Sequence, residues 1–246
     1  MNDSKIGIIV QARMGSTRYP EKVLTPIADR PMIFYLLERL QMVKKAHDLV
    51  LATSTSKIDD RLQKYCESIN IKCFRGSEED VLKRFYDCSI QYGFDKIIRV
   101  TGDNPLTCPK QIDELINFHL SNDLQVSSHQ GLPLGIGVGI INFDVLKDCY
   151  DFSTKKYQRE HVTPYVYESE NRDKYRIDYL HIIGKLNRPE LRLTVDTDKD
   201  LKLMDILFKK LYHNNNISLE EVIDFLDRNP HIKKINESVR QKGIRE

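Results

Sequence analysis

Apolar and polar positions alternate along the first half of the chain in two rhythms. Ile6-Gly7-Ile8-Ile9-Val10 is a short β-branched run without a polar break, the pattern of a strand buried on both faces. Pro31 then opens a helical period of Ile33, Leu36, Leu37, Leu40 and Val43 that closes on Lys44-Lys45, with proline at the first turn and positive charge at the last. The same alternation predicts strands over 48–53, 71–74 and 96–101, a helix over 58–65, and another beginning at Pro109 and carrying Ile112, Leu115 and Ile116. Ser77 followed by Glu78, Glu79 and Asp80 predicts a helix start capped by the serine, with carboxylates where the helix dipole favours them; Leu82, Phe85 and Ile90 carry that helix to Gly93.

Strands alternating with helices, through connections too long for hairpins, predict an α/β, doubly wound, mostly parallel sheet with helices on both faces. Such a sheet binds ligands at the carboxyl ends of its strands. The loops 13–22, 53–56, 75–77 and 102–104 all follow predicted strands and should converge on one rim. The second half is less regular. Strands are predicted over 124–128, 138–143, 176–183 and 191–195, a short helix over 159–167, and two amphipathic helices over 201–212 and 219–226. Gly131-Leu-Pro-Leu-Gly-Ile-Gly-Val-Gly139 has no helix behind it, so it fails as a dinucleotide fingerprint and predicts a close backbone approach instead. No repeat or low-complexity linker divides the chain. A single domain over 1–246 is expected, with 124–190 as a small inserted lobe contributing acceptor or dimer contacts.

Composition narrows the function classes. A net charge of +2 over 246 residues, with acidic and basic positions interspersed, argues against a nucleic-acid partner. No apolar run approaches the roughly 20 residues of a membrane span, and the first residues lack the apolar core of a signal peptide, so no membrane partner and a cytoplasmic location are expected. Five scattered cysteines with no CxxC pair support neither a disulfide framework nor a zinc site.

Candidate chemistry starts with the loop after the first strand, Gln11-Ala-Arg-Met-Gly-Ser-Thr-Arg-Tyr-Pro-Glu-Lys22. Arg13, Arg18 and Lys22 surround a turn rich in backbone N–H groups, with Glu21 as the one offsetting charge. Fixed donors and cations together replace the water a polyphosphate loses, so the loop reads as the triphosphate grip of a nucleotidyltransferase; a surface turn with ordinary solvated charges stays open beside it. It lacks the Gly-Lys-Ser/Thr ending of a P-loop. Two acidic sites also follow strands, Asp103 in Val100-Thr-Gly-Asp-Asn-Pro and Asp196 in Leu193-Thr-Val-Asp-Thr-Asp198. Magnesium takes hard oxygen ligands and completes its shell with substrate phosphates and water, so Asp103, Asp196 and Asp198 are candidate metal ligands. A turn-forming role for Asp103 and a helix-capping role for Asp196 or Asp198 stay open beside the metal role.

These segments carry a resemblance. The loop 11–22, Ala52-Thr53 with Asp59-Asp60, Phe74-Arg-Gly-Ser77, Arg99-Val-Thr-Gly-Asp-Asn-Pro105 and Arg159-Glu-His-Val-Thr-Pro-Tyr165 resemble the cytidylyltransferase family typified by the spore-coat polysaccharide biosynthesis protein. More distantly, the chain is similar to the synthetases that couple CMP to sialic acids and to ketodeoxyoctulosonate. The resemblance implies CTP and Mg2+, a CMP-activated product and release of pyrophosphate, in surface polysaccharide or glycoconjugate precursor synthesis. It implies that Arg13, Gly15, Ser16 and Lys22 hold the triphosphate, with Arg13 and Lys22 catalytic. Gln11, Ala12, Thr53, Arg75 and Ser77 would lie near the rest of the nucleotide. Asp103 would be a magnesium ligand that also faces the nucleotide, and Asp196 would match the second metal-binding aspartate. A homodimer is expected on the same ground.

The acceptor side is read from Arg159-Glu160-His161, where the histidine could take a proton or donate to an acid group and the arginine could pair with one bidentately; a helix-start network with Arg159 paired to Glu160 stays open. Members of the spore-coat type carry acidic residues in the stretch corresponding to 133–140, where this chain has Leu134, Gly137 and Gly139. Loss of carboxylates removes repulsion toward an anion, so an anionic acceptor, a sugar acid or phosphorylated small molecule, is expected. The competing reading is a nucleotide-sugar-dependent glycosyltransferase, whose DxD would be Asp196-Thr-Asp198, late in the chain rather than after the core strands. A non-catalytic nucleotide-binding subunit would be expected to lack Lys22 or Asp103, and both are present.

Overall fold

The computed structural model describes residues 4–15, 19–213, 216–243 and 245. In chain order the elements begin with β1 (Ile6–Gln11), a small hairpin of β2 (Pro26–Ile27) and β3 (Arg30–Pro31), α1 (Met32–Leu40), β4 (Asp48–Ser54), α2 (Asp60–Ser68), β5 (Lys72–Gly76), α3 (Val81–Tyr92), β6 (Lys96–Thr101) and α4 (Pro109–Ser121). They continue with β7 (Val126–Gln130), β8 (Gly139–Asn142), α5 (Phe143–Phe152), α6 (Lys156–His161), α7 (Pro164–Tyr167), β9 (Ile177–His181), α8 (Asp198–Leu211), α9 (Leu219–Arg228) and α10 (Pro230–Lys233). Seven strands form one sheet in the order β5-β4-β1-β6-β8-β7-β9. Strand β8 is antiparallel to both its neighbours, and the remaining pairs in the sheet are parallel.

The central strand shows why the sheet is wound on both sides. Ile8 and Val10 enter one core with helices α1, α4, α8 and α9, while Ile9 enters a second core with α3 and α5. Each side removes a continuous apolar layer from water, so β1 has no solvated face and needs no polar alternation. The α/β expectation is met, and residues 124–190 extend the same sheet with β7, β8 and β9.

Three local expectations are corrected. The helix after β5 is capped by Asp80, whose carboxylate accepts from the Lys83 N–H at 2.9 Å; Ser77 Oγ instead accepts from the Asp80 N–H at 3.1 Å, so the serine shapes the turn before the cap. Phe143 begins a helix rather than ending a strand. The stretch 191–195 forms no strand, but it is zipped to the glycine-rich loop by Leu134 N–H to Leu191 O and Leu193 N–H to Leu134 O, each at 2.8 Å.

That zipper explains one glycine. Gly135 has φ +95°, and a Cβ on it would lie 2.7 Å from the Leu193 carbonyl oxygen. Both the backbone conformation and the neighbouring chain exclude a side chain. Gly135→Ala is therefore expected to lower stability by about 2–4 kcal/mol, read as a fall in denaturant midpoint; an unchanged midpoint would show that the two segments are not held this close.

Candidate active site

The carboxyl ends of β1 and β6 open onto one cavity of ≈ 930 Å³. From the first loop it receives Gln11, Ala12, Arg13 and Lys22, from the end of β6 Thr101, Asp103 and Asn104, and from the late segment Thr194 and Asp196. The meeting of Asp103 with Asp196 is a backbone result. The Val195 N–H donates to the Asp103 carbonyl at 2.9 Å, which places the next residue beside the β6 loop.

Lys22 occupies the middle of this arrangement. Its Nζ donates to Asp103 Oδ2 at 2.8 Å, to the Val195 carbonyl at 2.9 Å and to Asp196 Oδ1 at 3.1 Å. A rim position facing solvent would be the simple expectation for a phosphate-binding lysine on a loop, yet Lys22 is only 9 % exposed. It is buried because it neutralises two carboxylates at once, and such a charge stays inside only when paired. Burial alone would push the Asp103 carboxyl up, but the Lys22 charge and hydrogen bonds from Lys22 and Thr101 hold it below the ordinary range.

Behind Asp196 stands a further layer. Arg192 donates from Nη2 to Asp196 Oδ2 at 3.0 Å and from Nε to Asp200 Oδ1 at 2.9 Å. Asp200 is also the third residue of α8, where its Oδ2 accepts from the N–H groups of Asp196 and Thr197 at 3.1 and 3.0 Å while Thr197 caps the helix. Burial works against ionisation of Asp200, but Arg192, Asn236 and the Asp196 N–H hold its carboxyl below the ordinary range. The chain beyond α10 joins in, with Asn236 Nδ2 donating to Asp200 Oδ1 at 2.8 Å and Arg192 Nη1 donating to Gln241 Oε1 at 2.5 Å.

The other wall is built by α3 and α6. Arg159 pairs with Asp80 rather than with Glu160, donating from both Nε and Nη2 to Asp80 Oδ2 at 2.9 and 2.5 Å, and its Nη1 reaches the Tyr150 carbonyl at 2.7 Å. It lines the cavity with its donors already engaged. Glu160, exposed to solvent, and His161 both line the cavity from the last turn of α6. The chain turns sharply just after it. Val162 adopts φ 71° and ψ −55°, closed by the Thr163 N–H donating to the His161 carbonyl at 2.8 Å. A β-branched residue in this conformation costs on the order of 1–3 kcal/mol, offset here by complete burial of Val162, and it fixes where His161 points. Burial and the Arg99 charge depress the imidazole, so it enters the cavity neutral at pH 7.

Helix α6 is anchored at its other end by Glu168, which accepts from Tyr157, from Gln158 Nε2 at 2.9 Å and from Lys155 Nζ at 3.1 Å. The Tyr157 hydroxyl first, with Lys155 and Gln158, draws the Glu168 carboxyl down to about 2 against the cost of burial. A depressed carboxylate contributes stability above its unfolded value and loses it as the pH falls through the folded one. Glu168→Ala should thus cost about 2 kcal/mol at pH 7, and the difference from the native chain should vanish between pH 4.5 and about 2 in acid titrations followed by circular dichroism. A difference that persisted at the acid end would exclude the ionised form as the anchor.

Several residues named from the sequence lie elsewhere. Arg75 donates to Ser54 O, Ser56 O, Asp60 and Gln63, and does not line the cavity. Ser77 is used at the turn before α3, Thr53 is fully buried within β4, and Gly15 is exposed beside the cavity; none of the three lines it. Ser16 and Arg18 lie outside the described residues. Asp198 opens α8 exposed to solvent and does not line the cavity, so the Asp196-Thr-Asp198 spacing does not present two carboxylates to it.

Sequence reasoning missed Arg84 and Arg99. Arg84 on α3 is 1 % exposed and lines the cavity floor. Its Nη1 donates to the Ser77 carbonyl at 3.1 Å, its Nε has no partner among the described residues, and burial, with Arg13 nearby, lowers its guanidinium to about 10. Arg99 shares its strand face with Ile97 and Thr101 in a strand covered on both sides, a position where an arginine must point into something other than bulk water. That parity was the available signal.

A doubly wound sheet whose strand ends gather an Arg/Lys loop and two carboxylates defines an α/β nucleotidyltransferase site. The family model described as cytidylyltransferase matches residues 7–229, and the chain belongs to that family. It is 44 % identical over 98 % of its length to an uncharacterized protein of Methanocaldococcus jannaschii, of which it covers 98 %. It is 36 % identical over 94 % of its length to the spore coat polysaccharide biosynthesis protein SpsF of Bacillus subtilis, covering 96 % of it. A solved cytidylyltransferase from Leptospira borgpetersenii superposes with TM-score 0.87 at 28 % identity, over 98 % of this chain and 100 % of that one. The protein is a CTP-dependent cytidylyltransferase, and the glycosyltransferase alternative falls away. Among the described residues no helix is long and apolar enough to cross a membrane.

Proposed function

We propose that the protein transfers CMP from CTP to a small sugar-type acceptor, releasing pyrophosphate, and that the product is an activated precursor for polysaccharide assembly. The observation that carries this reading is the Lys22-Asp103-Asp196 cluster at the strand ends, because it joins a cation able to meet phosphate oxygens to two hard oxygen donors.

The donor set fits Mg2+. Asp103 and Asp196 present carboxylates on either side of a position where a positive charge already sits, and Asn104 Oδ1 beside them is buried without a hydrogen-bond partner among the described residues. Asp103 and Asp196 would hold the ion, with phosphate oxygens and water completing its shell; when bound, it supplies charge neutralisation on the phosphates. The chain's own residues do the remainder. Arg13 and Lys22 balance charge that develops on the leaving pyrophosphate, the backbone at Gln11 and Ala12 borders the nucleotide, and the cavity walls hold the acceptor oxygen in line with the α-phosphorus. No protein nucleophile is required. His161, a cavity residue neutral at pH 7, would take the acceptor's proton.

A homodimer through the lobe that carries the edge strand β9 accompanies this reading, since Ile183 just beyond that strand is 86 % exposed. The deciding experiment incubates the full chain with each nucleoside triphosphate, Mg2+ and a set of sugar acids and sugar phosphates, following pyrophosphate. Preference for CTP with release dependent on acceptor supports the proposal; release that ignores the acceptor would identify a hydrolase.

A further inference from the structure

Beneath the glycine-rich loop lies a second compartment of ≈ 360 Å³ that shares Arg99, Thr101, Asn104, Leu134 and Gly135 with the nucleotide cavity. Its lining contains no aspartate, glutamate or lysine. His129 is neutral there, since its Nδ1 accepts from the Val138 N–H at 3.2 Å, its Nε2 faces the Gln111 carbonyl at 3.1 Å, and burial disfavours the charged ring. Arg99 therefore supplies the one formal charge among its lining residues.

That arginine is under-used. Its Nε donates to Gln11 Oε1 at 3.0 Å, and among the described residues neither Nη has a hydrogen-bond partner and no carboxylate lies within ion-pairing distance. Asp103, whose charge reaches it, is engaged by Lys22 and Thr101. The strand partner of Arg99 in β8 is Gly139, which leaves the flank of the guanidinium open. Burial lowers the group to about 10, against the opposing charge of Asp103, the sign of a desolvated cation whose nearest carboxylate is engaged elsewhere. A fork of N–H donors without partners among the described residues, held half-buried in a strand beside the nucleotide cavity, is complementary to an oxyanion.

We propose that this compartment seats the acceptor, and that the acceptor carries a carboxylate or a phosphate monoester which both Nη groups of Arg99 take. The proposal rests on the CMP-transfer reading and moves the acceptor's acid group from Arg159, which is committed to Asp80, to Arg99. Carboxylate and phosphate share the chemistry and differ in shape. A planar carboxylate needs the fork, whereas phosphate also accepts a point charge.

The test is calorimetric titration of the full chain with ketodeoxyoctulosonate and its neutral C1 amide, and with mannose 6-phosphate and mannose, in the native protein and in Arg99→Gln and Arg99→Lys. One anion is expected to bind at least about 10-fold tighter than its neutral counterpart, and Arg99→Gln to lose about 10- to 100-fold of that affinity. CTP affinity should be unchanged and the melting temperature unchanged or higher. Arg99→Lys should keep most of a phosphate preference and little of a carboxylate preference, which distinguishes the two sources and carries the test should Arg99→Gln fail to fold. Equal binding of anion and neutral sugar, no binding of either anion, or loss of CTP affinity in Arg99→Gln would overturn the proposal. Anion binding through Arg99 without pyrophosphate release would instead sink the transfer reading and leave the site standing. Release with neutral acceptors as fast as with anions would do the reverse.

Discussion

Lys22→Ala should lower kcat/KM for pyrophosphate release by about 10²–10³-fold, the usual loss when one preorganised donor to developing negative charge is removed from a dry site. The structure adds a second consequence that a surface lysine would not have. With Nζ gone, half-buried Asp103 loses its counter-charge while buried Asp196 keeps Arg192, and the free protein should lose about 1–3 kcal/mol. Activity and denaturant midpoint therefore fall together, and single-turnover rates on the folded fraction separate the two effects. Asp103→Asn in the same background should recover much of the stability, because the carboxylate left without its counter-charge is gone, and none of the activity. A Lys22→Ala enzyme with near-normal turnover would remove the lysine from the mechanism.

Arg192→Leu should be the most damaging single change to folding outside the central core. Asp200 has no exposed surface, and Arg192 is its only ion-pair partner among the described residues, so its carboxylate would stay buried without a counter-charge at a cost of about 3–5 kcal/mol. The same side chain orients Asp196 through a 3.0 Å hydrogen bond, so turnover of the folded fraction should drop as well. Pairing Arg192→Leu with Asp200→Asn discriminates. If the damage comes from the stranded charge, the double variant regains most of the stability but not the turnover. If it regains neither, the side chain matters for packing instead.

The layers of the molecule were legible in the sequence because β-branched runs and helical periods carry them directly. The convergence of Arg13, Lys22, Asp103 and Asp196 was legible too, since each follows a predicted strand and strand ends share an edge. What could not be read was the direction of a side chain within its loop. Arg75 near the end of β5 and Ser77 just after it turn back onto Ser54, Asp60 and the start of α3, because their nearest unsatisfied partners are local. Arg84 and Arg99 lie inside regular elements, where a lone arginine reads as a surface residue and only burial on both sides says otherwise. The Ser77 cap was a competition between two good capping residues. Asp80 wins by sitting three residues before the Lys83 N–H it accepts, and the serine then serves the aspartate.

The hydrogen bond from Val195 to the Asp103 carbonyl joins segments whose intervening chain includes α4, the glycine-rich loop and strands β7 to β9. Closing so long a loop is entropically expensive and comes only after the elements it spans have docked. The two carboxylates are therefore expected to become neighbours late in folding. A chain that has formed its sheet but not yet seated the segment around Asp196 holds Lys22 against Asp103 alone, without the Val195 carbonyl and the second carboxylate that complete its burial.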